Sequence, residues 1–423
     1  MNINSFGDLK KSKHFIVIGG GAAGFFCAVN AARLNPLLNV VIVEKTSKLL
    51  SKVRVSGGGR CNVTHACFEI SSLVKKYPRG TNFLKKTFHQ FNTNECIQWF
   101  EERGVKLKTE ADGRMFSNTD SSQTIIDCLL KEANKYQVEI LMNREVKRLL
   151  KVNGEWALFF ADGSILNADY VCVACGGYPK SAMFDWLKTL GHSIEEPVPS
   201  LFTFNMPNNP ITQLMGVAVE KATVKIVGSK LSDEGPLLIT HWGMSGPAIL
   251  KLSAWGAREL ADKNYHFNIL INWLSNYNEQ SLRESWQALR NERSVQKIGN
   301  RNPFNLPTRL WVYLLNESGI NENIRWADLP GKEQNKLIKN LTAQEFEVKG
   351  KTTFKEEFVT CGGIKLSEVD ANTMQSKILS NLFFAGEILD VDGITGGFNF
   401  QHAWTSGWIA ARGIAELSQW PIS

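Results

Sequence analysis

The sequence predicts an α/β fold in which both ends of the chain build one open parallel sheet and the middle carries insertions. Three observations lead there. A short apolar run, Phe15–Ile18, meets a glycine turn and then a helix rich in small residues. After Pro197 and Pro199 the texture changes to short alternating runs, and then to a polar helical stretch over 277–342. Near Cys361-Gly362-Gly363 the α/β texture returns, with a buried strand at Leu382–Ala385 and another small-residue helix behind it. The resulting division is 1–196 and 356–423 for the sheet domain, 197–276 with 343–355 for a β-barrel, and 277–342 for a helical insertion.

The first unit reads FIVIGGGAAGFFCAVNAARLNPLLNVVIVE from Phe15 to Glu44. Gly19, Gly21 and Gly24 stand in G-x-G-x-x-G spacing between the strand and the helix. Gly19 makes the tight turn, Gly21 lets backbone approach a pyrophosphate, and Gly24 lets the helix pack on the strand. Ala22 and Ala23 open the helix, whose unpaired N–H groups favour an anion. Asn39–Val43 is the next strand, and it delivers Glu44 twenty positions beyond Gly24. A carboxylate there accepts a ribose hydroxyl, which suits FAD or NAD better than NADP. The whole forms a Rossmann-like β-α-β unit.

After Glu44, Lys45 and the stretch KTSKLLSKVRVSGGGRCNVTH form a glycine-rich loop with cations around it: Lys48, Lys52, Arg54 and Arg60. Such a loop can lie along a large flat cofactor. Residues 70–135 read as mainly helical, with a stop at Gly104, a turn at Asp112-Gly113 and a helix capped by Ser121 or Ser122. Val138–Met142 is a strand. Glu145–Leu149, Trp156–Phe160 and Ser164–Tyr170 alternate as an antiparallel meander with turns at Asn153-Gly154 and Asp162-Gly163. Val171–Cys175 is a buried strand with Gly176-Gly177 at its carboxyl end, where open α/β sheets place ligands.

Within the insertion, LFTFNM, VAVEKATVKIV, PLLITHW and YHFNILINW suggest a barrel or sandwich, which residues 344–349 would close. THWGMSGP (240–247) reads either as a cavity-facing turn and helix start or as barrel packing. In the closing segment, Gly386 and Glu387 end a strand. Gly396 and Gly397 precede a helix whose face carries Ala403, Gly407, Ala410 and Ala411. The dipole of that helix, aimed at a ring carbonyl, would stabilise an anionic reduced flavin.

At 423 residues, with 43% hydrophobic and 21% charged residues, the chain is globular and has room for two or three domains. No apolar run approaches a transmembrane helix. The basic leading segment has no signal-peptide core, so a cytoplasmic location is expected. The net charge of +7 suits anionic ligands but is spread along the chain. The eight cysteines are scattered as reduced thiols would be. Cys172 and Cys175 lie in a strand-like run rather than at the helix start a redox pair uses. No metal-ligand cluster is evident. His65, His241 and His402 lie near candidate site motifs and read as structural before they read as proton carriers.

SGGGRCNVTH, ADGRMF, YVCVACGGYPKS, THWGMSGPAIL and FFAGEILDVDGITGGFNFQHAWTSG together resemble the BaiN-type, or aminoacetone-oxidase-like, FAD-binding flavoproteins over nearly the whole chain. That resemblance implies a discontinuous Rossmann-like FAD-binding domain with inserted β-barrel and helical domains. Gly19, Gly21, Ala23 and Gly24 would then hold the pyrophosphate, with Glu44 on the ribose. Lys52, Ser56, Gly57, Arg60 and Asn62 would line the flavin, the Val146 backbone would meet adenine, and Ala22, Lys45, Gly59 and Cys61 would add further cofactor contacts. Gly176, Gly386, Glu387, Asp392, Gly396, Gly397, Phe398, Asn399 and Phe400 would complete the site. Family members often carry proline shortly after the Phe of ADGRMF, where this chain has Ser117.

The implied activity is reduction of an unsaturated or carbonyl small molecule by NAD(P)H, a transient donor because no second dinucleotide unit is present. Amine oxidation by oxygen is an alternative. A flavin-containing RNA-modification or RNA-binding factor is a third, motivated by the net charge and the helical insertion. No RRM, KH or basic-aromatic RNA motif is present, so nucleic acid is not the expected partner.

Overall fold

The computed structural model describes residues 12–353 and 359–419. Most of the leading segment, and the boundary drawn at 355/356, lie outside the described residues. The chain divides into two compact units: one ends at Val198 and resumes at Val359, and the other spans 199–358.

The first unit is built on β1 (His14–Ile18), α1 (Ala22–Leu34), β2 (Asn39–Val43), α2 (Ser51–Gly59), β3 (Glu139–Leu141), β4 (Tyr170–Val173), β5 (Leu382–Phe384) and α3 (Phe398–Ser418). The five strands form one sheet in the order β5-β4-β1-β2-β3, every pair parallel. Residues 15–18, 40–43, 170–173 and 382–384 are buried. The apolar runs without alternation therefore mark strands covered on both faces. Ile18 pairs with Val43 and Val173, Val173 with Phe384, and Val43 with Leu141. All five carboxyl ends thus form a single edge. The chain leaves β1 for β2 on one side and later places β4 on the other, so β1/β4 is the topological switch.

α1 and α3 cover the sheet together, and their small residues let them approach closely. A Cβ on Gly407 would stand 2.7 Å from the Ala23 carbonyl oxygen. Elsewhere in this unit, 146–152, 155–160 and 165–168 form the antiparallel meander, turning at Asn153-Gly154 in left-handed backbone. Ser121 caps the helix Ser122–Lys135, accepting from Gln123 N.

Two sequence expectations change. The stretch 70–135 is not only helices: Leu107–Thr109 and Arg114–Ser117 pair antiparallel around Asp112-Gly113, and Thr64-His65 adds a third strand. These strands are too short to show a period of two. The loop around Gly57–Gly59 begins as a helix. α2 runs to Val55, then Ser56 is extended while Gly57 and Gly58 are left-handed.

The second unit contains a seven-stranded antiparallel sheet, with Gln344–Lys349 and Lys351-Thr352 at its two edges. Those edge strands are consecutive in the chain. Gly350 between them accepts from Asn205 N (3.1 Å) and donates to the Tyr265 carbonyl (2.9 Å), which curls the sheet into a barrel. THWGMSGP is barrel packing and helix start at once. Strands Ser232–Thr240 and Gly243–Ser245 pair, and Pro247 opens the helix Pro247–Trp255. Helices Glu279–Glu292, Thr308–Glu317 and Gly331–Ala343 bury Trp286, Trp311 and Leu337 in the same hydrophobic cluster as Ile239 and Ile269 of the barrel.

The α1/α3 contact gives a first prediction. Gly407→Leu overpacks the crossing and lowers unfolding free energy by about 1–3 kcal/mol. Gly407→Ala costs less, because only one methyl must be accommodated. Equilibrium denaturation of both variants checks the order; equal stability of all three proteins contradicts the close crossing.

Candidate functional site

The glycine turn at the end of β1 fits a dinucleotide phosphate. Gly19 has φ +116, and a Cβ on it would lie 2.4 Å from the Ala174 carbonyl oxygen. A Cβ on Gly24 would lie 1.9 Å from the Gly19 oxygen. Both positions therefore exclude side chains. Gly21 differs: its Cβ would meet nothing within 4 Å. No side chain caps α1, so the first-turn N–H groups of Ala22, Ala23 and Gly24 face that open space without a capping acceptor. Donors, room and positive helix end coincide, as a diphosphate requires.

Glu44 sits at the end of β2 with its carboxylate fixed. One oxygen accepts from Gly20 N (2.9 Å), the other from Thr46 N and Oγ1 (both 2.9 Å). A carboxylate has about four acceptor sites, so capacity remains for a ribose hydroxyl. Beside it lies a cavity of about 380 Å³ lined by Gly19, Glu44, Lys45, Val146, Tyr178 and Trp186, among others. Lys45 approaches the Tyr178 ring at 5.9 Å. Gly176, at φ +77, leaves the β4 exit open. Tyr178 and Trp186 were not singled out by sequence reasoning. Tyr178 directly follows Gly176-Gly177, whereas Trp186 lies nine positions beyond Gly177 and carried no local signal.

A second group of residues surrounds the start of α3. Gly396 and Gly397 precede it, and no side chain caps it. Asn62, with its amide oriented to suit its neighbours, accepts from Gly397 N and donates to the Thr64 carbonyl, both at 3.0 Å. Trp404 Nε1 donates to the Val63 carbonyl (2.9 Å), and Thr64 Oγ1 to Gln401 Oε1 (2.6 Å). Tyr77 OH donates to the Phe398 carbonyl (2.7 Å), while the Asn399 side chain clasps Gly393 through N–H and carbonyl. Phe398 stacks on His65 at 4.7 Å, and Phe400 on Trp404 at 5.8 Å. Burial holds the His65 imidazole below its ordinary range.

The two groups are contiguous. Leu50 N donates to the Gly20 carbonyl (2.9 Å), tying α2 to the phosphate turn. A Cβ on Gly386 would stand 2.7 Å from the Ala23 Cβ. Lys52 pairs with Glu387 at 2.6 Å, and the other Glu387 oxygen accepts from Thr360 N (2.8 Å). The Thr360 hydroxyl, not foreseen from sequence, is buried without a hydrogen-bond partner. Ser56 and Gly57 form the kink of α2, and Gly59 is left-handed with open space at its Cβ position.

Three expected site residues have other engagements. Asp392 is fully buried and accepts a guanidinium fork from Arg79, which fixes the loop before α3. Arg60 lies 4.0 Å over the Phe116 ring and donates to Glu110 (2.5 Å). Cys61 is buried, and desolvation pushes its thiol up to about 12, so it is not a nucleophile at neutral pH. Cys175 is likewise raised to about 11. His402 is buried: its Nε2 lies 3.3 Å from the Gly386 carbonyl, its Nδ1 has no partner, and burial lowers it to about 4. His241 belongs to the inserted unit, on a turn between barrel strands. Among the described residues no cluster could hold a metal ion, and no helix is long and apolar enough to cross a membrane.

Comparison with known proteins follows the same lines. The model of the HI0933-like protein Rossmann domain matches residues 13–413. A 3-dehydro-bile acid delta(4,6)-reductase of Clostridium scindens is 26% identical over 408 residues, covering 95% of this chain and 98% of the relative. A ribosomal RNA dihydrouridine synthase of Escherichia coli is 30% identical over 413 residues, 94% of this chain and 97% of the relative. Another of that name, from Haemophilus influenzae, is 27% identical over 414 residues, 95% and 98%. Among solved structures, the open conformation of a flavocytochrome c3 fumarate reductase superposes with a TM-score of 0.51 at 14% identity, covering 97% of this chain and 79% of that one. A 3-ketosteroid-delta4-(5alpha)-dehydrogenase from Rhodococcus jostii RHA1 gives 0.51 at 13% identity, covering 97% and 99%. These structural likenesses speak for the α/β fold.

Two predictions come from this geometry. Glu44→Ala weakens FAD retention about ten- to a hundredfold, the value of a charged hydrogen bond. Gly21→Val weakens it further by filling the space before α1. Titration of the apoproteins with FAD checks the order, and unchanged affinity in both variants removes the assignment. His402 gives a pH dependence. Its folded value of about 4 lies below the ordinary 6.5, so the unfolded chain binds more protons between those limits. Stability is full above 6.5 and is lost as pH falls toward 4, by about 3 kcal/mol in all. In His402→Gln that component is absent, and urea denaturation across the window should show the parent losing stability the variant keeps.

Proposed function

Because the chain belongs to the HI0933-like Rossmann family and is an FAD-dependent oxidoreductase, we propose that it catalyses the two-electron reduction of a carbon–carbon double bond conjugated with a carbonyl. NAD(P)H is the electron donor, and the uracil base of ribosomal RNA is the substrate class. Bound FAD supplies the relay between donor and acceptor. The observation that carries the reading is the pair of near full-length relatives with reductase chemistry. One name describes a 3-oxo steroid with Δ4 and Δ6 double bonds, the other the saturation of uridine. In both, the reduced alkene is conjugated with a carbonyl, so the two reactions share one electronic demand.

Residues of this chain supply binding and orientation. The N–H groups of Ala22, Ala23 and Gly24 would hold the diphosphate, and Glu44 the ribose. The start of α3, held by Asn62, Asn399 and Tyr77, would present its N–H groups to the negative edge of the reduced ring. Lys52 would add positive charge on the same side, oriented by Glu387. Arg79 and Asp392 would keep the loop between β5 and α3 in place. The ribosomal substrate is favoured by the 30% identity to the Escherichia coli relative and by the net charge of +7. A free unsaturated ketone is the second reading, favoured by the bile acid reductase.

The test offers purified holoenzyme with NADH or NADPH two acceptors, unmodified ribosomal RNA and a 3-oxo-Δ4,6 steroid. Dihydrouridine in nucleoside digests, measured by mass spectrometry, supports the first; saturated steroid alone overturns it for the second. β1–β5 form one parallel sheet and the sequence carries no second G-x-G-x-x-G unit, so donor and acceptor should share access to the flavin. Parallel initial-rate lines are expected, and intersecting lines indicate a separate nicotinamide site.

A further inference from the structure

The helical part of the inserted unit contains a cleft that the reaction above does not use. Helices Glu279–Glu292 and Gly331–Ala343 and the turn at Ser318-Gly319 line a cavity of about 560 Å³. Four cations and two carboxylates face it: Arg283, Lys332, Lys336 and Lys339 against Glu279 and Glu333. Glu279 is already neutralised, since it accepts from Arg283 at 2.7 Å. Among the described residues none of the three lysines is in an ion pair. They are exposed and stand at i, i+4 and i+7, on one face of one helix. Like charges stacked this way repel, and no local carboxylate offsets all of them.

The arrangement is linear. By helical rise the three lysines span about 10 Å, more than one phosphate or carboxylate occupies. Lysine is a flexible point charge that binds phosphate without reading base edges. Arg283, the side chain able to make a planar fork, is engaged with Glu279 and Asn335. We propose that this cleft docks the phosphate backbone of RNA, holding the substrate through contacts independent of sequence. The proposal rests on the ribosomal RNA reading given above.

The test is a triple variant, Lys332→Ala, Lys336→Ala and Lys339→Ala, in the full-length holoenzyme. The residues are exposed, so melting temperature and FAD content should equal those of the parent. Binding of a ribosomal RNA transcript is followed by filter retention over a range of potassium chloride. At low salt the variant should bind at least about tenfold more weakly, and the slope of log affinity against log salt should shrink by about two to three. The corresponding triple arginine variant should bind as the parent does. Unchanged affinity and slope, with the parent still forming dihydrouridine, overturn the docking site and leave the function standing. Lysine-dependent RNA binding by a parent that forms no dihydrouridine overturns the function and leaves the docking site. A parent that does not retain RNA overturns both. Loss of binding to an acidic peptide, with RNA binding intact, assigns the cleft to a protein partner and overturns the proposal.

Discussion

The first unit depends on one close approach, where the β1 turn, the start of α1 and the exit of β4 meet. The Gly19 oxygen lies where a Gly24 side chain would begin, and the Ala174 oxygen lies where a Gly19 side chain would begin. Three backbone segments share the space that side chains normally separate. The result places the unpaired N–H groups of α1 at the switch between β1 and β4, where open α/β sheets bind ligands. Gly21, one turn residue on, has no such neighbour. The same short motif therefore contains glycines needed for packing and a glycine needed for vacancy, and the structure separates the two.

The second half of the site is assembled across a gap of some three hundred residues in sequence. Residues 61–65 contribute one wall, and the loop from Gly393 to Gly397 with α3 contributes the other. Their joint is polar: Asn62, Thr64, Gln401 and Asp392 are buried or nearly so, and each has a partner. An unmet partner in such a joint costs about 1–3 kcal/mol, so removing one member leaves the next exposed to that cost. This makes the joint rigid where a helix N-terminus must be aimed. Among the described residues of this unit, Thr360 Oγ1, His65 Nδ1 and His402 Nδ1 are buried without a partner, as are Arg33 Nε, Trp156 Nε1 and Arg412 Nε.

The sequence made the α/β fold legible because its strands are buried on both faces and read as uninterrupted apolar runs. The phosphate turn was legible because glycine is required there for reasons of space. Glu44 could be placed because a strand of known start delivers it. Other parts could not be read so directly. The strands of three and four residues at 107–109 and 114–117 carry too little periodicity, and the α2 kink looks like a loop because glycines dominate it. The fork of Arg79 on Asp392 gave no local signal, since the partners are far apart in sequence. The aromatic wall of Tyr178 and Trp186 was equally hidden, because aromatic residues after a strand more often signify packing.

The inserted unit has a different logic. Its barrel and its helices contribute to one hydrophobic cluster, with Trp286, Trp311 and Trp326 beside Ile239, Ile269 and Phe346. A core of that kind needs no ligand to be complete, whereas the first unit keeps open space before α1 and beside Glu44. A dinucleotide held there stabilises the first unit by mass action and leaves the core of the second untouched. The two units then have separable requirements: one must preserve vacancy and aimed donors, the other only shape and surface charge. Surface substitutions on the helices of the insertion can consequently alter what the protein docks while the chemistry of the sheet edge is conserved in full.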